Sequence, residues 1–525
     1  MWGRHFIYGA ILLAQFLFIS NAHATDGQPF LQNSSFDKGI DGWTSWQGIL
    51  KQQLLYTGNY VGKVTHDGNI AHTAFTIDDS PDTIPVTQPN MQYTARAMVR
   101  AASAGTVGKT LKLVIRERSP AGKPEVWIQT SSQIKLNNKF QQIVVHATTK
   151  GAGNILDVYA GITEGAQPQD AFYIDDINFS ATLALGAQFH CAWSSYDDTT
   201  RQQVVGKLAD NGAQWVRIDV GWDGFEPSDP QAGNARSSWY TDMVDRCVSF
   251  AKSRQLKILM TVHQTPGWAN GNLENSYPPI NFQYFTNFMT WLANRYSTVE
   301  AFEIWNEPDA RQSFLKISQS DPYGVIRAAT YGALLQSGYK GVKAGNPNAL
   351  VVFGAPSYND DTFIRQVYEI GGAKDNFDVM ATHPYQAVGD APPDYPDDGN
   401  IWWFTHLPKV RDLMVEKGDG HKQIWLTEYG WSEGRTDLHV DDNSSRRVTL
   451  DQQAQYLKDA VAYAKQHYPY VGMMIWYKER AKTLGSDVSP TSRASIEEGY
   501  ALMEEDLTPR PALGALHDAA ATLGN

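Results

Sequence analysis

The chain has 525 residues, enough for two domains, and a formal net charge of −12 with histidine neutral. That sign excludes a nucleic-acid partner held by net charge, and it counts against a strongly anionic polymer as ligand. Two cysteines, Cys191 and Cys247, exclude a disulfide-built scaffold, and neither their number nor their spacing supports a zinc site.

Residues 1–24 carry Arg4, an apolar run from Phe6 to Ile19 and then Ala22-His23-Ala24, the charged, apolar and small-residue order of a secretory signal peptide. Cleavage after Ala24 is expected. The apolar run is too short to cross a bilayer comfortably, and polar Asn21, His23, Thr25 and Asp26 follow it. The expectation is a secreted or periplasmic protein without stable membrane insertion.

Residues 26–180 predict an all-β domain. Alternating stretches such as Thr110 to Arg116, Val126 to Gln129 and Phe140 to Ala147 are separated by Gly, Pro, Asn and Asp clusters, with no helical period. A jelly-roll-like sandwich fits this grammar. Its opening, Leu31-Gln32-Asn33-Ser34-Ser35-Phe36 followed by Gly42-Trp43, and its close, Tyr173-Ile174-Asp175-Asp176-Ile177-Asn178-Phe179, resemble the first and last strands of carbohydrate-binding modules in the group of families 4, 9 and 22. Trp43, Trp46, Tyr56, Tyr60 and Trp127 are candidates to stack on sugar rings, with packing in the core as the alternative for each. The same resemblance implies that Asp37, Asp175 and Asp176 could help hold a structural calcium.

Residues 181–525 alternate strand and helix. Apolar strand candidates recur near Leu185–Phe189, Trp215–Val220, Ile258–Val262, Phe302–Trp305, Leu350–Phe353, Val379–Ala381, Ile424–Leu426 and Met473–Tyr477. Eight is the number that closes a parallel (β/α)8 TIM barrel. Helical periods lie between them, for example Trp239, Met243, Val244, Cys247, Val248 and Ala251. A typical barrel takes roughly 250 residues, so this longer region predicts enlarged loops on the rim. A doubly wound open sheet is the alternative, but no Gly-rich phosphate loop follows the first strand. Cys191 follows a predicted strand and Cys247 lies on the apolar face of a predicted helix, which leaves one bridge or two buried thiols open.

Two of the strand runs end on carboxylates, Phe302-Glu303-Ile304-Trp305-Asn306-Glu307-Pro308 and Ile424-Trp425-Leu426-Thr427-Glu428-Tyr429-Gly430-Trp431. A glutamate at the end of an apolar buried strand is costly unless the charge is used or paired. Two such ends on one barrel rim face each other across a cleft, the arrangement needed by a glycosidase with one acid and one opposed carboxylate. Asn306-Glu307 on the fourth predicted strand with Glu428 on the seventh resembles the clan A glycoside hydrolases. Within that clan the run Phe302 to Asp309 most resembles family 39, on the side of its polysaccharide-processing endoglycosidases. The resemblance implies Glu307 as acid/base and Glu428 as nucleophile.

Alternation in Trp215-Val216-Arg217-Ile218-Asp219-Val220 sends Val216, Ile218 and Val220 toward outer helices and Arg217 and Asp219 inward. The resemblance places Arg217 beside the nucleophile; a buried salt bridge to inward-facing Glu303 is the alternative. It further implies that Asn306 binds the sugar 2-hydroxyl, that His383 and Tyr385 in Thr382-His383-Pro384-Tyr385 partner the nucleophile, and that Trp476 forms a platform under the sugar. For His383 a purely structural role is the alternative. His263 matches the third strand's segment only in part. Trp193, Trp222, Trp268, Trp402, Trp403, Trp431 and Trp476 fall near predicted strand ends and suggest sugar subsites, whereas Trp305 and Trp425, inside strands, are expected to pack.

The reading is a monomeric, cofactor-independent, endo-acting retaining β-glycoside hydrolase whose partner is a polysaccharide or oligosaccharide. The alternatives are an exo-glycosidase or transglycosidase on the same barrel, and a non-catalytic polysaccharide-binding or export accessory protein.

Overall fold

The computed structural model describes residues 28–524 except 56, 194–195, 311–314, 318–320, 322–323, 435–445, 485–487 and 490–491. The predicted signal peptide and Tyr56 lie outside the described residues. Ten strands come first: β1 (Trp43–Trp46), β2 (Gly48–Leu54), β3 (Tyr60–His66), β4 (Phe75–Asp79), β5 (Gln92–Ala101), β6 (Thr110–Arg118), β7 (Trp127–Lys135), β8 (Gln141–Thr148), β9 (Ile155–Ile162) and β10 (Ala171–Ala181). They form two five-stranded antiparallel sheets, ordered β1-β4-β9-β6-β7 and β2-β3-β10-β5-β8. Period-two burial drives the pairing: Tyr93, Ala95, Ala97, Val99 and Ala101 of β5 face the core while Arg96, Met98 and Arg100 face away. The sheets meet face to face, with the Phe75 and Phe172 rings 5.5 Å apart between them.

Eight parallel strands follow: β11 (Ala184–Gln188), β12 (Trp215–Gly221), β13 (Lys257–His263), β14 (Ala301–Ile304), β15 (Leu350–Phe353), β16 (Met380–Thr382), β17 (Ile424–Tyr429) and β18 (Val471–Trp476). Their order is β15-β14-β13-β12-β11-β18-β17-β16, and a parallel bridge between Val352 and Val379 joins the two ends into a barrel. Outward side chains such as Val216, Ile218 and Val220 pack on the surrounding helices. Residues 238–253 form one of these helices, started by the Ser237 side chain accepting from Tyr240 N and burying Met243, Val244, Cys247, Val248 and Ala251. Cys191 and Cys247 are bridged, with Cα atoms 5.8 Å apart, which ties the segment after β11 to that helix.

The sandwich covers the floor of the barrel. Inward residues Leu259, Ala301, Val352, Ala381, Trp425, Met473 and Ile475 belong to the same apolar cluster as the sandwich core. Polar contacts line the seam: Gln423 Nε2 donates to the Gln92 carbonyl (3.2 Å), Thr182 N to the same carbonyl (2.9 Å) and Ala181 N to that of Pro469 (2.7 Å). Arg411 is buried there between the Phe30 and Tyr470 rings, 4.9 Å from each. The opposite end, where the strands terminate, is left for the site.

Candidate active site

Alternation on β12 and β14 points Arg217 and Glu303 into the barrel, and both are buried. The Arg217 fork makes four hydrogen bonds: Nε donates to Glu303 Oε2 (2.8 Å), Nη1 to Glu428 Oε1 (2.6 Å) and Gln188 Oε1 (3.0 Å), and Nη2 to Asn306 Oδ1 (2.7 Å). Arg217 therefore pairs with Glu303 and borders Glu428 as well. Burial works against its charge, but Glu303 and Glu428 outweigh that and raise its pKa.

Local backbone geometry aims the two glutamates. β14 ends at Ile304, and Trp305 and Glu307 then take left-handed φ values of +74° and +45°. Each such non-glycine residue costs about 1–3 kcal/mol and needs its surroundings to hold it. Trp305 N donates to the Val262 carbonyl (2.9 Å) and Glu307 N to that of Ala355 (3.0 Å). The turn sends Trp305 into the outer core and Asn306 toward Arg217. On β17, Trp425 and Thr427 face inward, so strict alternation turns Glu428 outward. A register shift against β18 between Leu426 and Tyr429 re-aims it into the mouth.

His383 sits between the carboxylates. Its Nδ1 is 3.0 Å from Glu307 Oε1 and 3.8 Å from Glu428 Oε2, and its Nε2 is 3.2 Å from Thr427 Oγ1. Tyr385 OH donates to Glu428 Oε2 (3.0 Å). One oxygen of each glutamate and a nitrogen of His383 all lie within 4.8 Å of one another. Among the described residues this is the group of acidic and histidine side chains compact enough for a cation. Within this set Arg217 pairs with Glu428, and Thr427 engages the far nitrogen of His383. Asp37, Asp175 and Asp176 do not converge in this way, although burial first and then Asp176 and Asp37 push the Asp175 carboxyl up to about 6.

Beside this pair lies a polar wall from β11, β12 and β13. Asp219 accepts from Gln188 Nε2 (2.7 Å) and Trp193 Nε1 (3.2 Å), and the Trp193 ring lies 4.0 Å from that of His190. Glu479 accepts from His190 N (2.7 Å) and Tyr196 OH (2.8 Å). Burial disfavours the Asp219 anion, but His190, His263 and Arg217 outweigh it and hold its pKa below the usual value. Burial dominates at His263 and lowers its pKa, leaving a neutral ring at the end of β13. Behind Glu307, burial and the Glu307 carboxylate push Asp309 up to about 8.

The family profile described as cellulase (glycosyl hydrolase family 5) matches residues 175–479, more than half of the chain. The chain belongs to glycosyl hydrolase family 5. The profile matched is thus family 5, whereas the motif around Glu307 resembles family 39; both readings place the chain among the clan A glycoside hydrolases. A 135-residue stretch, 23% of this chain, is 33% identical to a probable glucan 1,3-beta-glucosidase A of Aspergillus niger, and it spans 30% of that relative's length. Among solved structures, GH5_18 from Streptomyces cattleya in complex with GlcNAc superposes with a TM-score of 0.48 at 14% identity, covering 66% of this chain and 81% of that one. The CBM22-1 and GH10 modules of a Clostridium thermocellum xylanase superpose with a TM-score of 0.42 at 12% identity, covering 93% and 96%.

In this family 5 barrel Arg217, Asn306, Glu307, His383, Tyr385 and Glu428 come together, and His263 stands at the end of the neighbouring strand. The tryptophans divide differently from the expectation. Trp476 is 0% exposed and Trp431 2%, with indole nitrogens donating to the Tyr500 and Ala391 carbonyls, so neither ring is available to a sugar. The reason is register: Met473 and Ile475 face inward on β18, so Trp476 faces the helices and Tyr477 returns inward. Tyr477 is half-buried, 5.6 Å from the His190 ring, and its hydroxyl donates to Glu497 Oε2 (3.0 Å). Carrying the alternation two residues further would have found it. Trp268 packs against Trp222 and Tyr284 and donates to the Glu226 carbonyl. Trp222 and Trp403 are buried, whereas Trp193 and Trp402 present open rings.

Proposed function

We propose that this family 5 protein is a retaining β-glycoside hydrolase that cuts within polysaccharide chains, with Glu307 as acid/base and Glu428 as nucleophile. The observation that carries the reading is the approach of one Glu307 oxygen and one Glu428 oxygen to within 4.8 Å. Retaining enzymes hold their carboxyl groups about 5–5.5 Å apart, whereas inverting ones need about 6.5–9.5 Å to admit a water. In the first step Glu307 protonates the leaving oxygen while Glu428 attacks the anomeric carbon. In the second, Glu307 takes a proton from water, which displaces Glu428 and restores the β configuration.

Arg217 and Tyr385 hold the Glu428 carboxylate in the attacking orientation, one on each oxygen. Asn306, its Oδ1 engaged by Arg217, keeps its amide for the sugar 2-hydroxyl. His263 and Asp219 offer a neutral ring and an anion to further hydroxyls, and Trp193 and Tyr477 offer ring edges or faces. Trp193 and Trp402, 46% and 48% exposed, support a cleft with more than one subsite and hence endo action. Trp46 and Trp127, each 55% exposed at opposite edges of the β1-β4-β9-β6-β7 sheet, support polymer binding by the sandwich; Trp43 is instead packed in its core. The reading includes export with cleavage after Ala24, action as a monomer, a module boundary near residue 181, and an endoglycosidase character like that of the family 39 branch which the Glu307 run resembles.

The test is a panel of β-linked glucans and other neutral polysaccharides, with product sizing and anomer detection by NMR. The name of the Aspergillus niger relative, a probable glucan 1,3-beta-glucosidase, makes β-1,3-glucan the first to try. Internal oligomers whose first-formed anomer is β are expected; monosaccharide release means exo action, and an α-configured first product returns Glu428 to the role of general base.

Truncation to residues 181–525 separates the two modules. The carboxylates lie at the far end of the barrel from the sandwich, so turnover of short soluble substrates is expected to persist. Buried Trp215 and Trp425 on the floor become exposed, so the melting temperature is expected to fall by several degrees. Complete loss of turnover in a folded truncated chain would reject the boundary.

A further inference from the structure

We propose that Glu303 and Thr427 act as positioning residues that pin a hydrogen on His383 Nε2, and that His383 Nδ1 and Glu307 together hold the single proton delivered to the leaving oxygen. The inference rests on the assignment of Glu307 as acid/base and adds where its proton is kept.

Glu303 is fully buried and accepts from Arg217 Nε (2.8 Å), Thr261 Oγ1 (2.6 Å), Thr427 Oγ1 (2.8 Å) and Ala355 N (3.4 Å). An ionised carboxylate beside a guanidinium only accepts hydrogen bonds. The one hydroxyl hydrogen of Thr427 is therefore directed to Glu303 Oε1, and toward His383 Nε2, 3.2 Å away, Thr427 shows only lone pairs. His383 Nε2 must carry a hydrogen. In a neutral ring Nδ1 then bears a lone pair, aimed at Glu307 Oε1 over 3.0 Å. Two acceptors at that distance repel unless a proton lies between them. The pair accordingly keeps one proton, either as a carboxylic acid donating to nitrogen or as an imidazolium donating to carboxylate.

The groups facing His383 come from three strands and its own loop: Glu307 beyond β14, Thr427 and Glu428 on β17, Arg217 on β12, and Tyr385, whose hydroxyl is committed to Glu428. Burial and Arg217 act against a charged ring, and Glu428 and Glu307 outweigh them and raise its pKa. When the leaving oxygen takes the proton, the C–O bond breaks and Glu428 bonds the anomeric carbon. The pair is left as a carboxylate facing a lone pair, which favours recovery of a proton from the attacking water in the second step.

The test compares pH profiles of kcat/KM on oligosaccharide substrates for the full chain, Thr427→Val and Thr427→Ser. Without the hydroxyl, Nε2–H loses its acceptor and the ring can move its hydrogen to Nδ1, where it stabilises an ionised Glu307. The alkaline limb of Thr427→Val is expected to move about one pH unit toward acid, roughly a tenfold loss on that side. Thr427→Ser is expected to restore it, and activated aryl glycosides, which need no proton in the first step, are expected to keep their alkaline rate. An unmoved limb in folded, active Thr427→Val overturns the proposal. The second measurement is 15N NMR of the histidine-labelled wild-type chain, with the His383 signals identified by their loss in His383→Gln. A hydrogen on Nε2 is expected, and an Nδ1–H tautomer overturns the lock whatever the catalytic outcome. Full turnover of oligosaccharides by Glu307→Ala would instead bring down the acid/base assignment itself.

Discussion

Glu428→Gln is expected to abolish turnover, by about 10⁴-fold or more, while leaving the fold and polymer binding intact. The size of the loss follows from the proposed role: Glu303, the other carboxylate paired with Arg217, is fully buried and committed to Arg217, Thr261 and Thr427, so it cannot take over the attack. The fold should survive because the substitution does not leave Arg217 with an unpaired buried charge; the Glu303 carboxylate stays 2.8 Å from its Nε. Mass spectrometry after incubation with a 2-fluoro sugar of matching configuration checks the same point from the other side. Label on Glu428 in the wild-type chain and none in the variant is the expected pair of results. Label elsewhere, or an active variant with unchanged thermal stability, would remove Glu428 from the nucleophile position.

The second large effect belongs to Glu307 and depends on the leaving group. On the proposed assignment Glu307→Ala removes the proton donor, so natural oligosaccharides are expected to lose about 10²–10⁴-fold in kcat/KM. Aryl glycosides with good leaving groups carry away their own charge and should lose far less in the first step. The vacated space beside His383 then admits azide, which needs no general base to attack the glycosyl-enzyme, so added azide is expected to restore turnover of the activated substrate as a β-glycosyl azide. Equal loss on both substrate classes with no azide effect would show that Glu307 does not supply the proton. The two variants are distinguishable: only the Glu307 variant is rescued with retained configuration.

The local chemistry of single strands was legible in the sequence. Apolar runs ending on Glu307 and Glu428, and alternation that turns Arg217 inward and Val216 outward, depend on neighbours two to six residues away, the range over which strand periodicity holds. Eight strand candidates likewise sufficed for the barrel, since each is a short apolar run between helical periods. Tertiary structure decided the rest. Glu428 faces the mouth because of a register shift against β18, and Glu307 because of left-handed turns held by carbonyls of Val262 and Ala355. Resemblance places Trp476 under the sugar, whereas the alternation from Met473 and Ile475 turns it to the helices and leaves the inward position to Tyr477. The bridge of Cys191 to Cys247, the joint hold of Glu303 and Glu428 on Arg217, and the seating of the sandwich on the barrel floor each bring together residues far apart in the chain. Such contacts are set by how the strands wind into a closed barrel, and a pattern with a period of two or 3.6 residues carries no information about them.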